Sequence, residues 1–275
     1  MSELKEHIRS LINSGVKAVD PYSLIKSKLS LTNGSLTVQA QDFDIPSKDK
    51  IYVVGIGKAA GFMAKGLEHL FKPTKGYTIT KEPFTQLDHI INLTGGHPTP
   101  TKKGLEATKK VIALADQATS NSLFIFLISG GGSSLFCAPV DEISFRDFKQ
   151  TNNLLLKSGA TIHEINSVRK HISQVKGGKF ARRVAPSQII SLILSDVVGD
   201  SLDVIASGPT YHDKSTFKDA LSVLKKYNLS EKVPSSVLRY ITEGVKGNKE
   251  ETLKNEPPNT KNILIGNNLL ALKAA

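Results

Sequence analysis

The chain alternates short apolar runs with longer stretches in which apolar residues recur every three or four positions. Residues 123–128 are all apolar, and residues 189–194 are apolar except for Ser191. Runs of this kind predict strands that are buried on both faces of a sheet. Shorter apolar runs predict further strands at 51–54, 77–80, 90–94 and 263–266. Helical spacing and capping residues predict helices at 4–17, 59–71, 102–116, 144–156 and 161–175.

This order of elements predicts the fold class. Strands that alternate with helices favour a mainly parallel sheet in which helices cross over between neighbouring strands. We therefore predict an α/β, Rossmann-like fold with helices on both faces of the sheet. Before the alternation starts, Asn33-Gly34 separates two short apolar segments and predicts a β-hairpin.

The pattern also predicts domain boundaries. Residues 1–243 form one Rossmann-like domain in this interpretation. Residues 244–261 combine glycine and proline with several lysines and glutamates, which is typical of a linker or an exposed loop. Residues 262–275 then indicate a strand and a helix that stops after about two turns. We expect them to be the start of a truncated C-terminal domain, the rest of which is missing.

Composition is that of an ordinary globular protein. The 275 residues are 39% hydrophobic and 22% charged. No apolar run approaches the roughly 20 residues of a membrane-spanning helix, and the N-terminal segment with Glu3 and Glu6 lacks the pattern of a secretory signal. The single cysteine, Cys137, excludes an internal disulfide and a cysteine-based zinc cluster. We expect a soluble, cytoplasmic protein.

The net charge of +11 raises the question of an acidic partner. Nucleic-acid binding needs a localised basic stripe, often with stacking aromatic residues. Here the lysines are dispersed and tryptophan is absent. Small anionic substrates account for the basic residues equally well, so we expect no nucleic-acid partner and no membrane partner.

The strand predicted at 123–128 runs directly into a glycine-rich segment, which we call the glycine loop. It consists of Ser129, Gly130, Gly131, Gly132, Ser133 and Ser134. Three residues without a Cβ let the backbone turn sharply and direct several N–H groups into one concavity. Such a concavity binds anions, most often phosphate. A tight glycine turn without a ligand is the alternative.

A second glycine segment follows the strand predicted at 51–54. Gly55, Gly57 and Ala60 have the spacing of a dinucleotide-binding fingerprint, and Glu82 lies where a ribose partner is expected. This makes an NAD(P)-dependent oxidoreductase an alternative function. Lys58 opposes the dipole of the helix that follows it, which makes sense if an anion is shared between the lysine and the backbone N–H groups. A solvated surface lysine is the other interpretation.

The helix predicted at 161–175 has a polar side opposite its apolar stripe. Its apolar residues are Ile162, Ile165, Val168, Ile172 and Val175. The polar side carries Asn166, Arg169, Lys170 and Ser173, and Lys176 follows near the helix end. Two cations, an amide and a hydroxyl suit a polyanion such as the phosphates of a nucleotide. A solvated charged face is the alternative.

Two carboxylates follow the strand predicted at 189–194. Asp196 and Asp200 lie at or just beyond its carboxyl end, where ligands bind in open parallel sheets. Mg²⁺ is usually held by one or two carboxylates together with substrate phosphates. These residues are therefore candidate metal ligands, although Asp196 could instead cap the next turn. His97, in another loop, is a candidate base, but we favour a turn residue.

At this point the motifs resemble a known family. The matching blocks are 55–60, 97–100, 128–134, 166–178, 195–200, 205–210 and 266–268. In this order they are similar to the glycerate 2-kinase family, also called the MOFRL family and formerly assigned as hydroxypyruvate reductases. The resemblance implies ATP- and Mg²⁺-dependent phosphorylation of D-glycerate at its 2-hydroxyl, in a cleft between two α/β domains.

The resemblance also implies roles for particular residues. The essential lysine of the family falls on Lys58, and the glycine loop is expected to line the phosphate end of the cleft. With these roles we expect Gly55, Gly57, Arg169 and Lys176 to bind nucleotide or phosphate and Asn166 and Asn268 to line the cleft. Asp196 is the preferred metal ligand.

Members of this family continue far beyond the position that corresponds to residue 275. This chain is therefore expected to supply one wall of the cleft and to have little activity by itself. The alternatives are a hydroxypyruvate reductase and a truncated remnant that binds a ligand without turnover. An exposed apolar surface at the truncated end predicts a homodimer or looser association.

Overall fold

The computed structural model describes residues 2–45 and 50–275, so Met1, where the first predicted domain begins, lies outside the described residues. The strands are β1 (Leu29–Thr32), β2 (Ser35–Val38), β3 (Gln41–Asp44), β4 (Lys50–Ile56), β5 (Lys75–Thr80), β6 (Ile90–Thr94), β7 (Ser122–Ile128), β8 (Gln188–Leu194) and β9 (Thr260–Gly266). The first three form a small antiparallel sheet. The other six form a parallel sheet in the order β6-β5-β4-β7-β8-β9.

Helices cover both faces of the main sheet. They are α1 (Ser2–Ala18), α2 (Pro21–Lys28), α3 (Ala60–Glu68), α4 (Lys102–Ala115), α5 (Gly132–Leu135), α6 (Phe145–Lys157), α7 (Ile162–His171), α8 (Lys179–Val184), α9 (Phe217–Lys226), α10 (Ser235–Val245) and α11 (Asn268–Ala274). A short 3₁₀ turn spans Ile205–Ser207. The α/β class with a mainly parallel, Rossmann-like sheet is thereby confirmed.

The central strand β7 shows how one sequence builds both cores. Its side chains alternate between the two faces because the period of a strand is two. Phe124 and Phe126 join the core beneath α4 and α8. Leu123 and Ile125 join the core beneath α2 and α3. All seven residues of β7 are buried, as the apolar run predicts. A third cluster packs α6, α7, α9 and α10 against one another.

Local signals fix several helix starts. Ser144 caps α6 by accepting a hydrogen bond from the N–H of Asp147, as predicted. Thr161 and Glu164 form a reciprocal capping box at the start of α7. The helix predicted at 161–175 nevertheless ends at His171. Beyond that point the N–H of Gln174 donates to the carbonyl of Ala138 at 2.9 Å, so the chain leaves the helix to pair with a neighbouring segment.

The predicted strands all belong to the main sheet, and the hairpin at Asn33-Gly34 joins β1 to β2. The strand β9 pairs with β8 in parallel along its length. Residues 262–266 are therefore part of the main sheet, while the division into domains at 244–261 stays a prediction. Within that segment Thr252 is buried, and Glu251 accepts a hydrogen bond from the N–H of Phe217.

In residues 2–45 and 50–275, no helix is both long and apolar enough to cross a bilayer.

Candidate active site

The glycine loop leaves the carboxyl end of β7 at the centre of the main sheet. Gly131 has a φ of 89° and precedes the single helical turn α5. Residues other than glycine rarely adopt this left-handed conformation. Ser134 turns its hydroxyl back to the carbonyl of Gly131 at 3.2 Å, so it braces the loop from within.

A neighbouring loop, residues 57–59, leaves β4 and lies against the glycine loop; we call it the lysine loop. The N–H of Lys58 donates to the carbonyl of Gly130 at 2.9 Å, and the N–H of Ala59 donates to the Ser129 hydroxyl at 3.1 Å. A Cβ at Gly57 would collide with Ser129. The two loops can touch because position 57 is glycine.

Lys58 extends from this junction. The residue is exposed, and its Cγ atom lies 3.5 Å from the place that a Cβ on Gly131 would occupy. Helix α3 begins just after it, and Ala59 at the N-cap makes no side-chain capping bond. The N–H of Ala60, the first residue of α3, already donates to the carbonyl of Gly57 at 3.3 Å, so an anion beside the ammonium group would meet the following N–H groups of the first turn.

Gly55, predicted to bind nucleotide, is placed in the strand that precedes the lysine loop. It lies inside β4, where a Cβ would come within 2.7 Å of Thr78 and 3.3 Å of Ala60. The missing side chain thus lets α3 and β5 pack closely around the strand, and the residue does not line either of the cavities described below. Glu82 is exposed and pairs with Lys81.

His97 closes the other side of the glycine loop. Its peptide bond to Pro98 is cis, and its Cδ2 atom lies 2.9 Å from the position of a Cβ on Gly131. Burial lowers the pKa of His97, and the charges of Lys58 and Lys81 lower it further. The ring is therefore neutral at neutral pH and able to accept a proton. The histidine lies in a bend, in keeping with the turn interpretation, but the sequence does not reveal this packing.

The two candidate metal ligands lie in different places. Asp196 touches the glycine loop so closely that a Cβ on Gly130 would collide with its carboxylate. Asp200 instead accepts a hydrogen bond from Asn267 at 2.6 Å and faces a separate cavity near His212. Asn268 donates to the main-chain carbonyl of Asp196 at 3.4 Å. Within the described ranges, no group of three or more His, Cys, Asp or Glu residues could hold a metal ion.

Two cavities adjoin the glycine loop and share Ser129, Gly130 and Asp196. The first, of about 240 Å³, also contains Lys58 and Asn268, and we call it the lysine cavity. The second, of about 270 Å³, also contains His97 and Arg169, and we call it the arginine cavity. We call the two cavities together the cleft; both lie at the carboxyl ends of β4, β7 and β8, where open α/β sheets bind ligands.

A chain of hydrogen bonds links the glycine loop to α7. The hydroxyls of Ser133 and Ser207 lie 2.9 Å apart, and Ser207 donates to the side-chain oxygen of Asn166 at 3.1 Å. Asn166 is buried, and its Nδ2 atom has no hydrogen-bond partner. Ser207 adopts a φ of 62°; it lies in the motif block 205–210, to which we assigned no specific role.

The polar side of α7 is not a solvated face. Asn166, Lys170 and Ser173 are all buried, and Lys170 forms ion pairs with Asp203 at 3.4 Å and with Asp213 at 3.2 Å. Lys170 therefore holds the surrounding segments together. Ile162, predicted to be part of the buried stripe, is 47% exposed.

Lys176 lies beneath the glycine loop and outside both cavities. Its Nζ atom donates to the carbonyl of Ser133 at 2.7 Å and to that of Phe136 at 3.1 Å. Burial lowers its pKa to about 7. The side chain supports the loop from the core; the structure does not bring it to the cleft as an outer phosphate contact.

Comparisons with known proteins agree with this architecture. Residues 7–242 match a family model described as "Domain of unknown function (DUF4147)". A glycerate 2-kinase from Pyrococcus horikoshii is 43% identical over 273 residues, which are 99% of this chain and 61% of that protein.

Two crystal structures have the same fold. A protein from P. horikoshii matches with a TM-score of 0.91 at 43% identity, over 98% of this chain and 62% of the other. A glycerate kinase from Thermotoga maritima matches with a TM-score of 0.83 at 38% identity, over 100% of this chain and 61% of the other. The chain thus spans about three-fifths of the length of these relatives. It belongs to the DUF4147 family and is a homologue of the glycerate 2-kinases.

Proposed function

We propose that this chain forms the phosphate-binding wall of a kinase that transfers a phosphoryl group from ATP to the 2-hydroxyl of D-glycerate. The contact between the lysine loop and the glycine loop carries the proposal, because it joins Lys58, the start of α3 and three glycines at one point. Similarity to the glycerate 2-kinase of P. horikoshii supports the choice of reaction. The proposal concerns the complete cleft, of which these residues form a part.

Phosphoryl transfer is catalysed mainly by positioning and by neutralising charge on the transferred group. In this account the N–H groups of Gly130, Gly131 and Ser133 hold phosphate oxygens, with the ammonium group of Lys58 beside them. The other N–H groups of the loop already donate to main-chain carbonyls. The loops are pre-shaped for this task, because Lys58 and Ala59 already use their main-chain N–H groups to fix the lysine loop to Gly130 and Ser129.

Asp196 is the residue that fits Mg²⁺ best. Its carboxylate faces both cavities beside Gly130, and one carboxylate with substrate phosphates and waters is a common Mg²⁺ environment. When bound there, Mg²⁺ would neutralise charge on the phosphate oxygens. Asp200 is less suited, because Asn267 already occupies its carboxylate.

His97 is the group that we propose to accept the proton of the 2-hydroxyl. It lines the arginine cavity next to the glycine loop, and its lowered pKa keeps the ring neutral under ordinary conditions. A neutral imidazole within reach of a hydroxyl is the usual form of a general base.

The proposal extends to partners and compartment. The buried, unpaired Cys137 fits a reducing compartment such as the cytoplasm. Association of two copies through the exposed face of α1 and α11 also belongs to the proposal; its test is given in the Discussion.

The test measures the ADP released from ATP in the presence of D-glycerate and Mg²⁺, and it identifies the phosphorylated product by ³¹P NMR. It is run on this chain alone and on this chain supplied with the C-terminal remainder of the P. horikoshii relative. We expect 2-phosphoglycerate from the combination. Lys58→Ala should lower turnover on the order of 100-fold, whereas Lys72→Ala, an exposed lysine outside the cleft, should leave it unchanged.

Two results would overturn the proposal. One is oxidation of NADH or NADPH with hydroxypyruvate in the absence of any ATP-dependent phosphorylation, which would restore the reductase. The other is equal turnover by Lys58→Ala and Lys72→Ala, which would return Lys58 to the role of a surface lysine.

A further inference from the structure

Arg169 is a cation without a counter-ion. It lines the arginine cavity, and burial alone lowers its pKa to about 10. Its Nε atom is buried and has no hydrogen-bond partner. No carboxylate in the described part of the chain forms an ion pair with it. A partly buried charge left unpaired is costly, and it is usually compensated by an opposite charge.

A second unpartnered donor lies on the same side of α7. Asn166 precedes Arg169 by three positions, so the two side chains are neighbours on the helix. Asn166 is 2% exposed, and its Nδ2 atom has no partner. Its oxygen is fixed by Ser207, which in turn contacts Ser133 of the glycine loop. Arg169 itself lines the cavity, whereas Asn166 is joined to its wall through Ser207 and Ser133.

The cavity favours a small anion with a single charge. Among its described lining residues, Arg169 is the one permanent cation, because His97 is neutral. Leu156 and Ile162 add apolar surface. The volume of about 270 Å³ lies just below the roughly 300–1,000 Å³ typical of cavities for larger ligands.

We propose that Arg169 binds the carboxylate of the acid substrate in the arginine cavity. The guanidinium fork matches a carboxylate in two parallel hydrogen bonds. The acid then occupies the arginine cavity, and the nucleotide phosphates lie on the lysine side of the glycine loop. This changes the sequence-based prediction, which assigned Arg169 to the nucleotide. The inference rests on the proposed function, because it takes a 2-hydroxy acid as the substrate.

The experiment measures binding by isothermal titration calorimetry, so it needs no turnover. The ligands are D-glycerate, its carboxamide (glyceramide) and ATP. We expect Arg169→Met to weaken D-glycerate binding at least about tenfold, the scale of hydrogen bonds to a charged group, and to leave ATP binding within about twofold. Arg169→Lys should restore part of the affinity. Arg146→Met removes the same charge from an exposed site outside the cleft and should leave the affinity for both ligands unchanged.

Several outcomes would overturn the inference. These are unchanged D-glycerate affinity in Arg169→Met, a loss confined to ATP, an equal loss for both ligands, or no D-glycerate binding by the unmodified chain. If Arg169→Met fails to fold, the affinities of the unmodified chain for D-glycerate and glyceramide are compared instead. Equal affinities would contradict binding through the carboxylate. Loss of phosphoryl transfer with intact carboxylate binding would instead overturn only the proposed function.

Discussion

At the scale of single residues, the candidate site depends on glycines that stand where a side chain would block a contact. A Cβ at Gly57 would collide with Ser129, and one at Gly130 would collide with Asp196. Because glycine has no Cβ, three loops can come into contact at the carboxyl ends of their strands. The glycine motifs could be predicted from the sequence because they follow buried strands directly. The partners Asp196 and His97 touch them through contacts between distant segments, which no local pattern encodes.

The Gly131→Ala variant tests two effects of a side chain at this position: strain in the backbone and obstruction of the phosphate site. Gly131 has a φ of 89°, and its Cβ would lie 2.9 Å from His97. Gly159 has a φ of 80° and nothing within 4 Å, so Gly159→Ala is a matched control for backbone strain. We expect each variant to lose about 1 kcal/mol of unfolding free energy, measured by urea denaturation.

Only Gly131→Ala should also weaken ATP binding, because its methyl group would lie 3.5 Å from the Cγ atom of Lys58, on the side of the loop that we propose for the phosphates. If both variants, or neither, lost affinity for ATP in calorimetry, the glycine loop would not be the phosphate site.

At the scale of elements, α7 shows where prediction from sequence stops. Its apolar spacing predicted the helix, and Thr161 marked the start. The spacing could not reveal that the polar side is covered as well, because Lys170 is paired with Asp203 and Asp213 from a segment distant in sequence. For the same reason the sequence predicts a phosphate contact for Lys176, which the fold buries beneath the glycine loop.

The support that Lys176 gives to the glycine loop predicts a dependence of stability on pH. Its pKa is about 7 in the folded chain against an ordinary value of 10.5. Between these values the unfolded state binds more protons, so the free energy of unfolding rises as pH increases from about 7 to about 10. The slope contributed by this group is at most about 1.4 kcal/mol per pH unit.

Lys176→Met should remove that contribution, and urea unfolding across this pH range measures it as the difference between the two proteins. Lys72→Met, at an exposed position, should keep the slope. A constant difference between Lys176→Met and the unmodified chain would mean that the ammonium group is not titrating in the fold.

At the scale of the whole molecule, the positions of the strands in the parallel sheet could be predicted, because buried strands are runs of apolar residues. Less could be predicted about surfaces. The apolar stripe of α1 lies exposed beside α11. The exposed residues are Leu4, Ile8, Leu11, Ile12 and Val16 on α1 and Leu269 and Leu272 on α11. Period alone cannot tell whether such a stripe faces a core or a partner.

This face predicts concentration-dependent association of the chain, because contiguous exposed apolar surface promotes contact between molecules. Sedimentation velocity over a range of concentrations measures it. The double variant Ile12→Gln and Leu272→Gln should shift the chain towards the monomer. Ile91→Gln removes a similarly exposed apolar residue from β6, 53% exposed, and should not. Equal behaviour of the two variants would exclude this face as the contact.

We propose that the glycine loop and the lysine loop bind the phosphates of ATP. The most direct measurement is a titration of ¹⁵N-glycine-labelled chain with ATP and Mg²⁺, followed by the backbone amide signals. We predict that Gly57, Gly130, Gly131 and Gly132 shift, while Gly159, which has open space around it, does not. Unchanged signals from the glycine loop, while other glycines shift on ATP binding, would contradict the account.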